Sequence, residues 1–442
     1  MITATLAAAV LGLPAGAIAQ TAKEVELEKR VADLERMVKE LSAAKAAAPA
    51  AAPAPAAATA AAAPAKPAGA PIQGVSITPN AAPNTTFLLT GFVKMDVNFT
   101  DTTDGELADN SSGRDYYIPS TIPIGGFDEG TDLNAHIKQS RLNFGTDTIL
   151  DGGDKLSTRF EIDFYGSSTA DQRISNAYQP DIRHAYVQWR HWLIGQTWSN
   201  FMDPATLPEA ADFIGTTDGT TFVRQPQVRW TSGGLSLSAE NRETTILPYS
   251  TTGVAAARIV SDDGWVPDLT ARYAWKGDWG HFALAGLLRE LSHESSTVDD
   301  STWAGSLSLS GKFNIGKDDV RWMALYGNLG RYVGLNFATD AVLDAGGSID
   351  ALDGYAFFVA YRHMWTAKLR STASYALESY DYDSILSGST ANKSSDSWTV
   401  NLFYSPLPKL DIGAEFRSAN AERENGDDGD LRRLQLTTKY SF

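Results

Sequence analysis

The chain has 442 residues, a formal net charge of −16 and no cysteine, which excludes disulfides, thiolate metal sites and cysteine nucleophiles. At 43 % hydrophobic residues the length permits one large core or several. Past the first twenty residues no apolar run approaches the roughly 18 needed for a spanning helix, so a membrane could be crossed only by strands.

The opening MITATLAAAVLGLPAGAIAQ is apolar and ends in Ala17-Ile18-Ala19, a small-x-small site. It reads as a secretory signal over residues 1–19 that lacks a basic start. Residues 20–41 place Leu27, Val31, Leu34, Val38 and Leu41 at alternating spacings of four and three, a heptad with Val at a and Leu at d. A helix this short is marginal alone, so the seam predicts association between chains. Arg30-Val31-Ala32-Asp33-Leu34-Glu35 resembles the short motif of three-stranded coiled coils in which Arg30 would reach Glu35 of the next chain. A trimer is expected. Residues 42–84 are almost all alanine and proline, which build no core and stay extended as a semi-rigid spacer.

From residue 85 the chain changes to Gly- and aromatic-rich segments with strict alternation. In KLSTRFEIDFYG, Leu156, Thr158, Phe160, Ile162 and Phe164 share one face, and Lys155, Ser157, Arg159, Glu161 and Asp163 the other. The final LRRLQLTTKYSF repeats the pattern, with Leu434, Leu436, Thr438 and Tyr440 opposite Arg433, Gln435, Lys439 and Ser441. Sixteen such segments are predicted, at 87–99, 135–148, 155–165, 181–190, 191–199, 222–231, 234–243, 267–276, 279–290, 302–314, 318–328, 352–363, 367–379, 396–405, 409–418 and 431–442. Their connections alternate between about a dozen residues or more and short turns such as LDGGDK, TSGG and KGDW. That sorting predicts an all-β, 16-stranded antiparallel transmembrane barrel over 85–442, long loops at one end and both barrel termini at the other. Aromatics such as Tyr273, Trp275, Tyr355, Tyr404 and Tyr440 would form its interfacial girdles.

Charge is unevenly placed. The eight long connections carry 28 Asp and Glu against 6 Lys and Arg, whereas the strands and short turns hold 24 bases and 19 acids. Parity sends Lys94, Arg141, Arg159, Arg190, Arg229, Arg242, Arg433 and Lys439 to the water-filled side, with Arg272, Arg362 and Arg370 as further candidates. Basic rows in a low-dielectric wall favour anions; pairing with lumen acids such as Glu161, Asp163 and Glu240 is the competing role for each. The loop FMDPATLPEAADFIGTTDGTT, after the fifth segment, carries Asp203, Glu209, Asp212 and Asp218 and no base. It resembles the loop of trimeric porins that folds into the barrel opposite a basic ladder.

The coiled coil, the spacer, the barrel start FLLTGFVKMDVNF and the runs IRHAYVQWRHWLIGQTWSNFMDP and NIGKDDVRWMALYGNLGRYVG together resemble the DcaP-like trimeric outer-membrane porins. The resemblance implies a homotrimer in the Gram-negative outer membrane, both termini periplasmic, that takes up small anionic solutes, dicarboxylates in particular. The acidic long loops would bridge divalent cations to lipopolysaccharide, and the terminal Tyr-x-Phe resembles the signal that the barrel-assembly machinery reads. No cofactor, metal or nucleic-acid partner is expected. The six histidines form no HExxH pair and there is no GxSxG elbow, so no enzyme is expected. Two alternatives stay open: a general or cation-preferring porin governed by loop acids, and an envelope tether whose pore is incidental.

Overall fold

The computed structural model of the protein describes residues 84–166 and 175–442, together with Lys29, Arg36 and Lys39. The chain divides into two units, Met1–Lys66 and Pro67–Phe442. In the first, Lys29, Arg36 and Lys39 are helical and exposed. The seam residues Leu27, Arg30, Val31, Leu34, Glu35 and Val38, the signal and nearly all of the spacer lie outside the described residues.

In the second unit sixteen antiparallel strands close on themselves, as the alternation and loop lengths predict. They are β1 (Thr85–Thr102), β2 in two pieces (Asp132–His136 and Arg141–Ile149), β3 (Lys155–Asp163), β4 (Asp181–Trp189), β5 (Trp192–Trp198), β6 (Arg224–Ser232), β7 (Leu235–Glu240) and β8 (Asp268–Gly277). The second half comprises β9 (Gly280–Glu294), β10 (Asp299–Ile315), β11 (Asp318–Gly327), β12 (Gly354–Met364), β13 (Leu369–Tyr380), β14 (Asn392–Leu407), β15 (Leu410–Arg423) and β16 (Asp428–Ser441). Closure is made by β1 on β16, with Lys94 opposite Lys439 and Phe92 opposite Ser441. Closure removes every sheet edge, the condition for strands to survive in lipid.

Side-chain burial follows the two-residue period. On β1, Val93, Met95 and Phe99 are exposed on the outer surface while Lys94, Asp96, Asn98 and Thr100 are buried inside. On β16, Leu434, Leu436 and Tyr440 are outside and Arg433, Gln435 and Thr437 inside. A polar interior beneath an apolar outer face is the inverse of a water-soluble fold and places the outer face in hydrocarbon. Near the short turns Trp189, Trp192, Tyr273, Trp275, Tyr404 and Tyr440 stand outward, as an interfacial girdle does. The tight turns require left-handed backbone, supplied at Gly233 (φ 59°) and Gly316 (φ 64°) but also at Arg190 (φ 52°) and Lys409 (φ 67°).

Two expected long loops are hairpins instead. β9 and β10 run on to Glu294 and Asp299, and β15 and β16 to Arg423 and Asp428, leaving only 295–298 and 424–427 as connections. Their polar residues continue the strand alternation above the membrane, where an outward polar side chain faces water and gives no sequence contrast. The remaining long loops are L1 (103–131), L2 (164–180), L3 (199–223), L4 (241–267), L6 (328–353) and L7 (381–391).

Several of these loops fold into the barrel. Tyr117 of L1, Phe201 of L3, Leu247 of L4 and Leu329, Tyr332, Val333 and Phe337 of L6 form one buried cluster with inward-facing Met323, Phe358 and Tyr380 of the wall. L4 and L6 pair as a small sheet in which Ala341–Leu343 runs parallel to Thr244–Leu247. Beneath it lies a buried ionic knot: Arg289 of β9 meets Asp340 at 2.6 Å and Asp268 at 3.2 Å, and Arg331 meets Asp268 at 2.9 Å. Burial alone would push the Asp340 carboxyl up, but the Arg289 charge pulls it below its ordinary value. Removing one partner of such a buried pair costs about 3–5 kcal/mol. Arg289→Gln is therefore expected to free L6 while the barrel persists, seen as new protease cleavage within 328–353 in a protein that still migrates as a heat-modifiable β-barrel.

Candidate functional site

L3 determines what space remains in the lumen, and its course follows from a series of polar anchors. Asp203 caps the short turn Pro204–Thr206 and accepts from His281 Nε2 at 2.7 Å and Ser310 Oγ at 3.0 Å, with Arg272 at 3.9 Å. Arg321 then donates to the Leu207 carbonyl. Glu209 accepts a two-pronged pair from Arg370, at 2.7 and 2.6 Å. The Ala211 carbonyl receives Lys94 Nζ at 2.6 Å and Gln435 Nε2 at 2.9 Å, while its N–H donates to Glu415 at 2.8 Å. Asp212 accepts the Tyr117 backbone N–H at 2.8 Å. Arg417 donates to the Gly215 carbonyl at 2.5 Å. Asp218 accepts from the Tyr117 hydroxyl and Ser395 Oγ, both at 2.7 Å, and from Ser397 Oγ at 2.5 Å. At Gly219 a Cβ would lie 2.2 Å from the Phe357 carbonyl oxygen, so the backbone touches the wall there.

These contacts run from β8 round through β16 to β1. L3 thus lies against that arc, and on the opposite arc, β2 to β7 with Arg272 of β8 at the junction, several inward side chains stay partly open to water while Asp163, Arg183, Gln225 and Glu240 are buried. Arg141, Arg159 and Arg272 retain 20, 25 and 21 % of their side-chain exposure. Arg229 is half-buried, donating to Gln227 Oε1 at 2.8 Å and to the Trp198 carbonyl. Where L3 comes nearest to this wall, Phe213 faces two guanidiniums, Arg141 at 5.5 Å and Arg183 at 5.1 Å from its centroid. Arg141 is also 5.3 Å from the Phe92 ring, and its Nε is buried without a hydrogen bond. Arg224 covers Trp198 at 5.2 Å. A ring between guanidiniums gains cation–π attraction while leaving their outer N–H groups directed elsewhere. The wall also carries acids: Glu161 lies 2.9 Å from Arg183 and 3.8 Å from Arg141, and Asp147 3.0 Å from Arg159.

The predicted wall residues therefore occupy several environments. Arg141, Arg159 and Arg229 border the open arc. Lys439 stands opposite Lys94 near the short turns, 3.6 Å from Asp411. Lys94 is buried, pairs with Asp96 at 3.0 Å and donates to Gln139 Oε1, which the break in β2 at 137–140 turns inward. Arg433 is buried under L1, donating to Thr100 Oγ1 at 2.8 Å and the Gly113 carbonyl at 2.6 Å. Two placements correct the sequence reading. Arg190 is in the turn between β4 and β5, largely exposed, and pairs with Asp154 at 2.5 Å. Arg242 lies beyond the end of β7, in L4, on Glu290 at 3.2 Å. In both cases parity was carried past the end of the strand. The four L3 carboxylates enter the barrel interior, and all four are engaged by wall or loop donors. Arg183 and Arg224 escaped sequence reading because a bulge at β4 puts Arg183 and His184 on one face and Arg224 is the first residue of its strand.

Asp203 and Asp218 are shifted in opposite directions. Burial pushes Asp218 above its ordinary value despite its hydroxyl donors. Burial would also raise Asp203, but its His281 hydrogen bond and neighbouring cations bring it below. An acid raised on folding favours the folded loop most below its unfolded pKa of about 4 and loses that contribution as pH rises through its folded value; a depressed one contributes above about 4 and loses it as pH falls through its folded value. L3 is therefore expected to be held most firmly at about pH 4, measured as open-channel current noise that is least there and grows as pH rises through the raised Asp218 value or falls through the depressed Asp203 value. Asp203→Asn combined with Glu209→Gln removes charge-assisted bonds worth about 1.5–3 kcal/mol each. A larger and noisier open-channel current is expected from single-channel recording of that variant.

Residues 119–442 match the family model described as DcaP outer membrane protein. Among solved structures the chain is similar to the outer-membrane channel DcaP of Acinetobacter baumannii, with 25 % identity, a TM-score of 0.67, and coverage of 82 % of this chain and 99 % of that one. It is more distantly similar to OmpF of Salmonella typhi, at 10 % identity and a TM-score of 0.49 over 81 % of this chain and 98 % of that one. No curated protein matches. With the barrel, its inward loops and a family match over most of its length, the chain belongs to the DcaP outer membrane protein family and is an outer-membrane channel.

Proposed function

We propose that this channel passes small anions, dicarboxylates in particular, between L3 and the β2–β8 wall. The observation that carries this reading is the asymmetry of pairing in the lumen. L3's acids are turned to the far wall and to L1, whereas Arg141, Arg159 and Arg229 keep exposed surface on the open side and Arg272 stands at the junction, beside Asp203. Asp147 and Glu161 are the partly exposed carboxylates beside them, Asp163 and Glu240 being buried, and a low-dielectric wall concentrates the field of the exposed guanidiniums into the opening. Two guanidiniums flanking a narrow gap suit a solute with a carboxylate at each end.

The long-loop rim favours a second reading, a channel whose entry prefers cations. Glu106, Glu129 and Asp132 are close enough that their mutual repulsion raises the Glu106 carboxyl above its ordinary value. Under the anion reading, this rim needs divalent cations, which would also bridge it to lipopolysaccharide.

We further propose a homotrimer joined along β3–β7. A transmembrane strand needs about 9–11 residues, yet β5 has 7 and β7 has 6. The outer faces of β4, β5 and β7, with Ile182, Val187, Trp189, Trp192, Ile194 and Leu237 exposed, suit burial against neighbouring barrels better than a full lipid layer. The heptad over 20–41, with Arg30 and Glu35, supports a three-stranded association, and both barrel termini at the short-turn end would place it in the periplasm. Secretion by the 1–19 signal and insertion by the barrel-assembly machinery complete this reading. The envelope-tether alternative separates on deletion of 21–84: conductance surviving with loss of envelope integrity would favour it.

The test is the reversal potential of single channels under a salt gradient. An anion-selective sign is expected, reduced in Arg141→Gln/Arg159→Gln and accompanied by transient succinate block. A cation-selective sign without block would transfer control to the rim acids.

A further inference from the structure

At the short-turn mouth a separate cavity of about 590 Å³ opens among the ends of β10–β14. Its lining includes Lys317, Arg362 and Arg370, the hydroxyls of Thr366 and Ser405 and the indole of Trp365, with no carboxylate in the lining itself. Behind it Asp319 is shared by three cations: Arg362 at 2.5 Å, Arg321 at 2.7 Å and Lys312 at 3.7 Å. Asp318 is engaged by His363 at 2.8 Å and by the Tyr361 hydroxyl at 2.7 Å. Arg370 is saturated by Glu209 and Asp411. Arg362 spends one terminal nitrogen on Asp319, keeps 27 % of its side-chain exposure, and has a buried Nε with no hydrogen bond. Lys317 is exposed in the adjoining turn. Trp365, 60 % exposed, is held by its Nε1–H on Ser371 Oγ at 2.9 Å and edge-on to His363 at 4.4 Å.

We propose that this cavity is a second anion site, specific for a carboxylate that carries a flat apolar body. The carboxylate would sit on Arg362 and Lys317, since a guanidinium already anchored on one side presents its remaining N–H groups at little ordering cost. The apolar body would lie against the Trp365 ring, which is fixed by its own hydrogen bond and therefore loses little freedom on contact. The site uses none of the Arg141–Arg159 wall, so it holds solute at the mouth independently of the constriction.

The test uses the full chain in planar bilayers, with orientation fixed by one-sided labelling of Ser296→Cys, the chain having no other cysteine. Benzoate and acetate are added to each side in turn. Benzoate from the short-turn side is expected to interrupt the current for longer than acetate does. Arg362→Gln/Lys317→Gln should shorten those interruptions about tenfold, the scale of one charge-assisted hydrogen bond. Trp365→Ala should bring benzoate down to the acetate level. Asp319 keeps Arg321 and Lys312 in the double variant, and heat-modifiable migration checks that the barrel is intact. Interruptions equal from both sides, or unchanged in the double variant, would overturn the site. A cation-selective wild type that still shows variant-sensitive benzoate block would uphold this site and remove the anion preference proposed for the constriction.

Discussion

A closed antiparallel sheet in hydrocarbon fixes every second side chain inward, and those side chains must find partners inside the barrel. Nearly everything else here follows from that constraint. The inward positions of β8–β16 and β1 are a mixture of charged groups and small or apolar residues, and they are satisfied by loops brought in from one end. Lys94, Arg370, Glu415, Arg417 and Gln435 each bond L3, and Arg289 bonds L4 and L6. The loops are thus the complement of one half of the wall.

Filling one half leaves the other half open, and the partition has an electrostatic result. A carboxylate paired with an arginine contributes little field at a distance. Glu209 is of this kind on Arg370, Asp203 lies between His281 and Arg272, and Asp212 and Asp218 are turned to backbone N–H groups and hydroxyls away from the open arc, so the acids of L3 are directed off the passage. The guanidiniums of the open arc stack on Phe92, Phe213 and Trp198 as well as pairing with Glu161 and Asp147. Stacking holds an arginine without neutralising it. An overall charge of −16 is compatible with a basic lumen because the excess acids lie in the loops.

The fold was legible because the period of two is a direct readout of two solvents, and sixteen repeats of it leave little choice of architecture. Strand ends were the weak point: Arg190 and Arg242 fall where alternation continues in the sequence but the sheet has stopped. The hairpins at 295–298 and 424–427 were misjudged for the related reason that a strand standing above the membrane has no apolar face. The inward course of L3 was legible from its prolines, acids and position after β5. Its pairing was not, because Glu209 meets Arg370 and Asp218 meets Ser395 across more than 150 residues of sequence. L6 as a second plug was missed; its run of Leu329, Tyr332, Val333 and Phe337 was the available signal, apolar residues in a loop that has no lipid to face.

The central claim is that the open arc between L3 and β2–β8 has a positive potential. Tyr186 faces that arc opposite Arg159, and the absence of native cysteine makes Tyr186→Cys a single reporter. The decisive measurement is the ratio of its modification rates by an anionic and a cationic methanethiosulfonate of similar size, at low and high salt. Faster reaction with the anionic reagent, with the ratio falling towards one as salt is raised, is the predicted result. Preference for the cationic reagent at low salt would contradict the account.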